Sequence, residues 1–480
     1  MYKKNYKSLL LNFLLCMGII FLAFVCFYNL GEFPIADWDE ARHGVSAYEM
    51  IKNKEYIINT YNYQNDYWNL KPPLSFWGIV MCFKLFGFSI VSFRITSGLA
   101  MLITGAIITI FLLRRYGKLE AVVSIFLFSS CMPLYQAHTG RHGDADSLFI
   151  LFFVISMISM LSININRKYL YLGGGAFSLA FLTKSWHALI IVAIAGMFLL
   201  ITGEIKKIKI KEWFYFILSF SIPIVIWMSI RVIKDGSKFL TEMVSYDLMK
   251  RTSEALEGNS ETITYYFRYM LLNWTLLDIL IAGLIIFSIP YIFRNFRNYK
   301  NEVIGYSLWI ILPLIVFTIA KTKLAWYIIP VYIPVIMVGA IIFAKIIKSI
   351  NVKAWTKFIL ATLMIISTLF YSYKMIRFIS NPPIDKFQVF LKESLIGNSE
   401  IYSMNAYIDL ESSEWRQSQL FLGELYGDLK CNSGGIEEFK KSSDTLLITT
   451  IDKYNEFYNI INNETIVFKD NEYIILKKEA

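Results

Sequence analysis

Leu9-Leu10-Leu11-Asn12-Phe13-Leu14-Leu15-Cys16-Met17-Gly18-Ile19-Ile20-Phe21-Leu22-Ala23-Phe24-Val25-Cys26-Phe27 opens an apolar run that continues to residue 30 without a charged side chain. A bilayer core of ~30 Å needs ~20 such residues in a helix. Runs of this kind recur along the chain, where hydrophobic residues make up 56% and charged ones 18% of the total. That balance excludes an ordinary soluble domain. The pattern predicts about eleven spans, near 9–30, 90–113, 119–138, 147–165, 169–184, 187–203, 213–233, 273–293, 304–320, 324–344 and 355–373.

Cytoplasmic loops of membrane proteins are rich in Lys and Arg. With the N-terminus inside, as Lys3, Lys4 and Lys7 suggest, alternate connections deliver one basic set to the cytoplasm. It comprises Arg114, Arg115, Lys118, Arg167, Lys168, Lys206, Lys207, Lys209, Lys211, Arg294, Arg297, Lys300, Lys345, Lys348, Lys353 and Lys357. The formal net charge of +10 therefore reads as a topology signal, and no nucleic-acid partner is expected. The same alternation sends residues 31–88, 139–146, 184–187, 234–272 and 321–323 to the outer face. An odd number of spans puts the C-terminal segment there too.

Residues 1–30 lack a small-x-small cleavage site and read as a retained first span, not a secretion signal. Cys16, Cys26, Cys82, Cys131 and Cys431 show no paired spacing, so no disulfide framework is expected. After Asn381-Pro382-Pro383 the chain becomes more polar. Strand-like stretches at 401–404, 445–449, 465–468 and 472–476, with helical spacing from Gln417 to Leu425, predict a small α/β domain. The expected division is a transmembrane domain over 1–375 and a soluble domain over 376–480.

Unusual polar residues cluster on the predicted outer face. Asp37-Trp38-Asp39-Glu40-Ala41-Arg42-His43 precedes a helix-compatible stretch whose apolar side (Ala41, Val45, Tyr48, Met50) could lie on the membrane surface. Carboxylates at a membrane edge are functional candidates, and Asp39 there could act as a general base. Lys71-Pro72-Pro73 holds a lysine in extended chain. The apolar stretch 74–88 is too short for a comfortable span and suggests a second interfacial helix. Arg141, His142, Asp144 and Asp146 crowd one short turn, and Lys321 and Lys323 run against the basic-inside trend. Lysine binds phosphate as a point charge. Lys184 with His187 is a weaker case of the same kind. His43, His138, His142 and His187 all fall near outer ends of spans, so a divalent metal held by His and acids is conceivable, without a diagnostic spacing.

The ordered set resembles the GT-C membrane glycosyltransferases, nearest to the branch of protein O-mannosyltransferases and lipid A aminoarabinose transferases. It consists of Asp39-Glu40-Ala41-Arg42, Lys71-Pro72-Pro73-Leu74 with Phe83-Lys84-Leu85-Phe86-Gly87, Arg141 with Asp146, and Thr322-Lys323-Leu324 with Tyr327 and Pro330. The resemblance covers about residues 10–345. It implies an all-α polytopic fold and transfer of a sugar from a polyprenyl (undecaprenyl) phosphate carrier to an extracytoplasmic acceptor, such as an envelope glycolipid, polymer or protein. By that likeness Asp39 matches the catalytic aspartate with Glu40 beside it, Lys71 the donor-phosphate lysine, and Asp146 or Asp144 a second acid.

The expected chemistry is direct displacement at the anomeric carbon with inversion. Asp39 takes the acceptor proton while Lys71, helped by Lys323, Lys321, Arg141 or Arg42, neutralises the departing phosphate. The loop 234–272, with Tyr246, Asp247, Lys250, Arg251, Tyr265, Tyr266 and Arg268, is a candidate lid. A transporter or flippase of lipid-linked sugars is the rival reading. It predicts ionisable groups near the bilayer midplane and two related halves, whereas here the charges collect at one interface. A non-catalytic assembly factor would not need Asp39.

Overall fold

A computed structural model describes residues 2–136, 138–250, 253–254, 261–410 and 415–479. The chain divides into two compact units. One comprises Met1–Tyr28, Leu70–Ser75 and Ser97–Asn381, and the other Asn29–Asn69, Phe76–Thr96 and Pro382–Ala480.

The first unit is all helical. Among the described residues, the chain has eight helices long and apolar enough to cross a membrane. They are Tyr6–Phe27, Ile90–Arg115, Lys168–Thr202, Ile210–Asp235, Leu276–Arg294, Phe296–Ile319, Ala325–Lys348 and Ala354–Ser380. The expectation of about eleven is corrected for definite reasons. The stretches at 119–138 and 147–165 form helices of only 13 and 17 residues, Lys118–Ser130 and Asp146–Ser162. Those at 169–184 and 187–203 form two helices as expected, Lys168–Lys184 and Leu189–Thr202, which the count of eight takes together as one long candidate, Lys168–Thr202. That candidate is broken at Ser185, whose φ of 45° no regular helix accepts. With eight long helices, the odd-number argument for the position of the two chain ends no longer holds.

Ala325–Lys348 is the central helix: 83% of its apolar window is buried, against 11% for Ile210–Asp235. Its Tyr332, together with Trp274 and Trp309, lies among the largest fully buried side chains. Basic residues assigned to one face find acids from other connections there. Arg115 pairs with Glu302 at 2.7 Å, Lys348 with Glu120 at 2.7 Å and Arg167 with Glu204 at 3.2 Å.

The second unit is built on a sheet. After the two-residue strands β1 (Thr60–Tyr61) and β2 (Gln64–Asn65) come β3 (Asn405–Asp409), β4 (Lys430–Asn432), β5 (Thr445–Thr450), β6 (Thr465–Lys469) and β7 (Tyr473–Lys478). The five later strands lie in the order β4-β3-β5-β7-β6. β3 runs parallel to β4 and β5, and β7 antiparallel to β5 and β6. The expected strand at 401–404 starts later, at Asn405, and the Asp470-Asn471 turn joins the last two strands as expected. Every residue of β5 is buried, because alternate side chains enter cores on both faces.

The larger core corrects the expectation that the apolar side of the helix Asp39–Asn53 lies on the membrane surface. Ala41, Val45 and Met50 of the helix Asp39–Asn53, and Phe76, Ile79 and Phe83 of the helix Leu74–Phe86, pack with Phe390, Leu420, Phe421, Leu446 and Ile448. The apolar side of the first helix is covered by protein, whereas the second buries Phe76, Ile79 and Phe83 and leaves Met81, Leu85 and Phe86 exposed. Gly44 permits the close approach, since a Cβ there would meet the Phe421 ring at 2.5 Å.

Candidate active site

In the helical unit, Pro72 and Pro73 keep the chain extended, and Lys71 Nζ lies 3.9 Å from Asp144 Oδ1. The Asp144 side chain is fully buried. Its Oδ1 accepts the Ala145 N–H at 2.6 Å, and its Oδ2 lies 2.6 Å from His138 Nδ1. His138 adopts φ 65° and stacks on Trp326 with ring centroids 3.7 Å apart. A left-handed histidine is uncommon. Here it brings the imidazole onto the carboxylate while the indole covers its face. Asp144 thus joins a lysine and an imidazole, an arrangement able to face an anionic group.

Asp146, two residues on, serves a different partner. It begins the helix Asp146–Ser162, and its Oδ1 accepts from Lys184 Nζ at 2.5 Å. The Lys184 ammonium also lies 5.6 Å from the Tyr327 ring centre. The lysine flagged weakly in the sequence is therefore a buried ion-pair partner of a candidate acid. The adjoining turn meets the candidate lid, where Ser185 Oγ donates to Asp247 Oδ2 at 2.8 Å and Trp186 Nε1 to the Met243 carbonyl at 2.7 Å. That part of the loop is helical, as Lys238–Glu242 and the π-helix Met243–Lys250. Arg251 of the same loop lies outside the described residues.

The remaining basic candidates of this unit have local partners. Arg141 is buried and donates to the Val25 and Tyr28 carbonyls, each at 2.7 Å. It thereby satisfies carbonyls at the end of the helix Tyr2–Phe27. Lys323 Nζ donates to the Ala320 carbonyl at 2.8 Å, and Lys321 is exposed.

In the sheet-containing unit, Asp39 and Glu40 open the helix Asp39–Asn53. Glu40 is buried against Arg94, which donates from Nε to Oε1 at 2.7 Å and from Nη2 to Oε2 at 3.0 Å. Arg94 also donates to the carbonyls of Leu30, Phe33 and Pro34. Glu40 Oε2 accepts the Ala36 N–H at 2.8 Å. A fork of this kind fixes the loop geometry. Arg42 donates to both oxygens of Asp66 at 3.3 Å and lies between the rings of Tyr61 and Trp68, at 4.0 and 4.5 Å.

Asp39 itself is half-buried and follows Trp38, whose φ of 65° and ψ of −115° are strained for a bulky residue. The strain is held by the C-terminal segment. Gln388 accepts the Ile35 N–H at 2.8 Å and donates to the Ile35 carbonyl at 2.9 Å. Gln417 accepts the Trp38 N–H at 3.3 Å, and Asp37 accepts the Ser418 N–H at 2.9 Å. Arg94, Gln388 and Gln417 escaped the sequence reading. A charge at position 94, just inside an apolar span, was the signal that could have found the first. No local pattern marks the two glutamines.

His138 and Asp144 offer a nitrogen and a carboxylate oxygen of the kinds that ligate divalent metals. Two donors make only part of a coordination shell, so a divalent cation is compatible with this cluster without being required by it.

A family profile described as dolichyl-phosphate-mannose-protein mannosyltransferase matches residues 70–228. An uncharacterized protein of Aquifex aeolicus (strain VF5) is 26% identical over 315 residues, 65% of this chain and 69% of its own length. The undecaprenyl phosphate-alpha-4-amino-4-deoxy-L-arabinose arabinosyl transferase of Wigglesworthia glossinidia brevipalpis is 26% identical over 349 residues, 70% of this chain. This chain spans only 59% of that relative. In fold, ArnT from Cupriavidus metallidurans bound to undecaprenyl phosphate superposes with a TM-score of 0.71 at 13% identity, covering 96% of this chain and 97% of that one. The chain has the GT-C fold of a multi-pass membrane protein with a C-terminal β-containing domain, and over part of its length it is similar to arabinosyl transferases and to the mannosyltransferase profile.

Proposed function

We propose that the protein transfers a sugar from a polyprenyl phosphate, of the undecaprenyl type, to an acceptor on the extracytoplasmic face of the cytoplasmic membrane. The acceptor class is a cell-envelope glycolipid, polymer or protein. The basic residues Lys3, Lys4 and Lys7 support a cytoplasmic N-terminus, and an extracytoplasmic β-containing domain then requires an odd number of crossings, with shorter apolar helices such as Asp146–Ser162 among them. The observation that carries the reading is the Lys71–Asp144–His138 cluster, in a chain related to transferases that use lipid-phosphate sugars.

In the proposed reaction an acceptor oxygen or nitrogen attacks the anomeric carbon. The bond from that carbon to the phosphate oxygen breaks, its electrons leaving with polyprenyl phosphate. Asp39 takes the acceptor proton. Lys71 faces the developing phosphate charge, an interaction worth roughly 3 kcal/mol where a positioned donor meets a transition-state anion. Asp144 orients Lys71, and Asp146 holds Lys184 nearby in sequence to the lid contacts. Glu40, Arg42 and Arg141, each engaged by a partner already described, support the site as positioning residues. Lys321 and Lys323 are further candidates for the phosphate. A divalent cation would be held by His138 and Asp144 and would add positive charge for the phosphate. We keep 1–375 as the transferase domain and 376–480 as the soluble domain.

A flippase would leave the sugar–phosphate bond intact. Membranes carrying the protein are therefore given a radiolabelled undecaprenyl-phosphate sugar. Transfer predicts label on a new acceptor with release of undecaprenyl phosphate. Movement of the intact carrier alone would contradict the reading.

A further inference from the structure

The helix Asp39–Asn53 is fastened to the helix Gln417–Gly427 by more than apolar packing. Glu49 of the first and Glu424 of the second are both fully buried. Glu49 Oε1 accepts the Tyr63 N–H at 2.8 Å, and the carboxyl faces the Thr60 hydroxyl. Glu424 has no such donor. Among the described residues nothing but the Glu49 carboxyl comes within hydrogen-bonding reach of its oxygens. Two ionised carboxylates in contact repel, and each could only accept. A single proton turns the same contact into an O–H···O hydrogen bond across the helix pair.

We infer that Glu49 and Glu424 share a proton, and that this bond clamps the helix bearing Asp39 in its working position. The catalytic half of the inference rests on Asp39 acting as the base proposed above, whereas the clamp does not. Burial pushes both carboxyls above the ordinary range, Glu424 well above it. The groups facing the pair are Asp66, Asp428, Tyr48, Tyr61, Tyr63, Cys431 and Lys52. None of them supplies the missing positive charge. Lys52 is paired with Asp428 at 2.8 Å, and Asp428 also accepts from Tyr48 at 2.5 Å and Ser403 at 2.6 Å. These bonds keep the Asp428 carboxyl low despite its partial burial.

The sign of the pH effect follows. Carboxyls whose folded affinity for protons is raised contribute stability that is present at low pH and lost as pH rises through the folded value. Asp428 works in the opposite sense, losing its contribution only in acid. The clamp therefore opens on the alkaline side.

The test is hydrogen exchange on the full-length protein in detergent, from about pH 6 to about pH 9, a range chosen for raised carboxyls. It follows peptides covering 39–53 and 417–427, corrected for intrinsic exchange. In the wild type, the opening constant of both helices should rise by up to about tenfold per pH unit while the closed helix pair still holds its proton, and level off once that proton is lost. In Glu424→Gln, whose amide donates at every pH, it should change by less than about twofold beyond intrinsic exchange. Glu49→Gln asks the same question from the other helix if Glu424→Gln folds poorly. A wild type without pH response, or a variant with the same response, overturns the clamp. The wild-type kcat for sugar transfer should fall in step with protection while the donor KM stays constant, and Glu424→Gln should retain kcat. Protection that changes while kcat does not overturns the positioning role. A wild type inactive at every pH counts against the transferase reading, and the exchange data still judge the clamp.

Discussion

Two charged clusters, one in each unit, are built on opposite plans. Arg94 and Glu40 meet at 2.7 and 3.0 Å, wholly buried, and the guanidinium takes three backbone carbonyls besides. Lys71 stands 3.9 Å from Asp144 with 15% of its side chain exposed. The first pair is sealed from solvent, while the second keeps part of its lysine side chain exposed, where an anion could reach it. Charges that stand out alike in the sequence thus divide into those that hold the loop and those that can meet a substrate.

That contrast can be broken experimentally, beginning with the largest effect. Removing the base with Asp39→Asn should lower kcat by about 10²–10⁴-fold, the usual share of general-base catalysis, in a transfer assay on purified protein. Lys71→Ala should lower kcat/KM for the lipid donor by about 10²-fold or more, with Lys71→Arg recovering part of it. Arg94→Met should behave differently. It leaves Glu40 buried without its cation, at about 3–5 kcal/mol, read as lost thermal stability before any specific effect on turnover. The double variant Arg94→Met/Glu40→Leu should regain much of that loss, because both charges are gone. Smallest is Gly44→Ala, which forces a methyl against the Phe421 ring and should cost about 1–3 kcal/mol of stability in the sheet-containing unit.

The same contrast explains what could be read from the chain. Asp39, Lys71, Asp144 and Asp146 were visible because acids and lysines are conspicuous between apolar runs. Arg94 was hidden by its position inside a run that otherwise reads as a span. Gln388 and Gln417 act on residues 353 and 379 positions away, a separation that no periodicity encodes. The apolar sides of Asp39–Asn53 and Leu74–Phe86 were recognised, but a hydrophobic pattern cannot say whether lipid or protein covers it. A core shared with the C-terminal sheet covers that of the first helix and only part of the second, where Met81, Leu85 and Phe86 stay exposed. The number of spans failed for a related reason. Apolar length measures what a helix could cross, whereas a bundle also uses short helices such as Lys118–Ser130, most of whose residues are buried.

The role of Lys71 is where the account is most exposed. Steady-state transfer from an undecaprenyl-phosphate sugar, measured on purified wild type, Asp39→Asn and Lys71→Ala, separates the two proposed tasks. The account predicts that Asp39→Asn loses kcat with donor KM nearly unchanged, and that Lys71→Ala loses kcat/KM for the donor while folding as the wild type does. Equal turnover in all three proteins would contradict it.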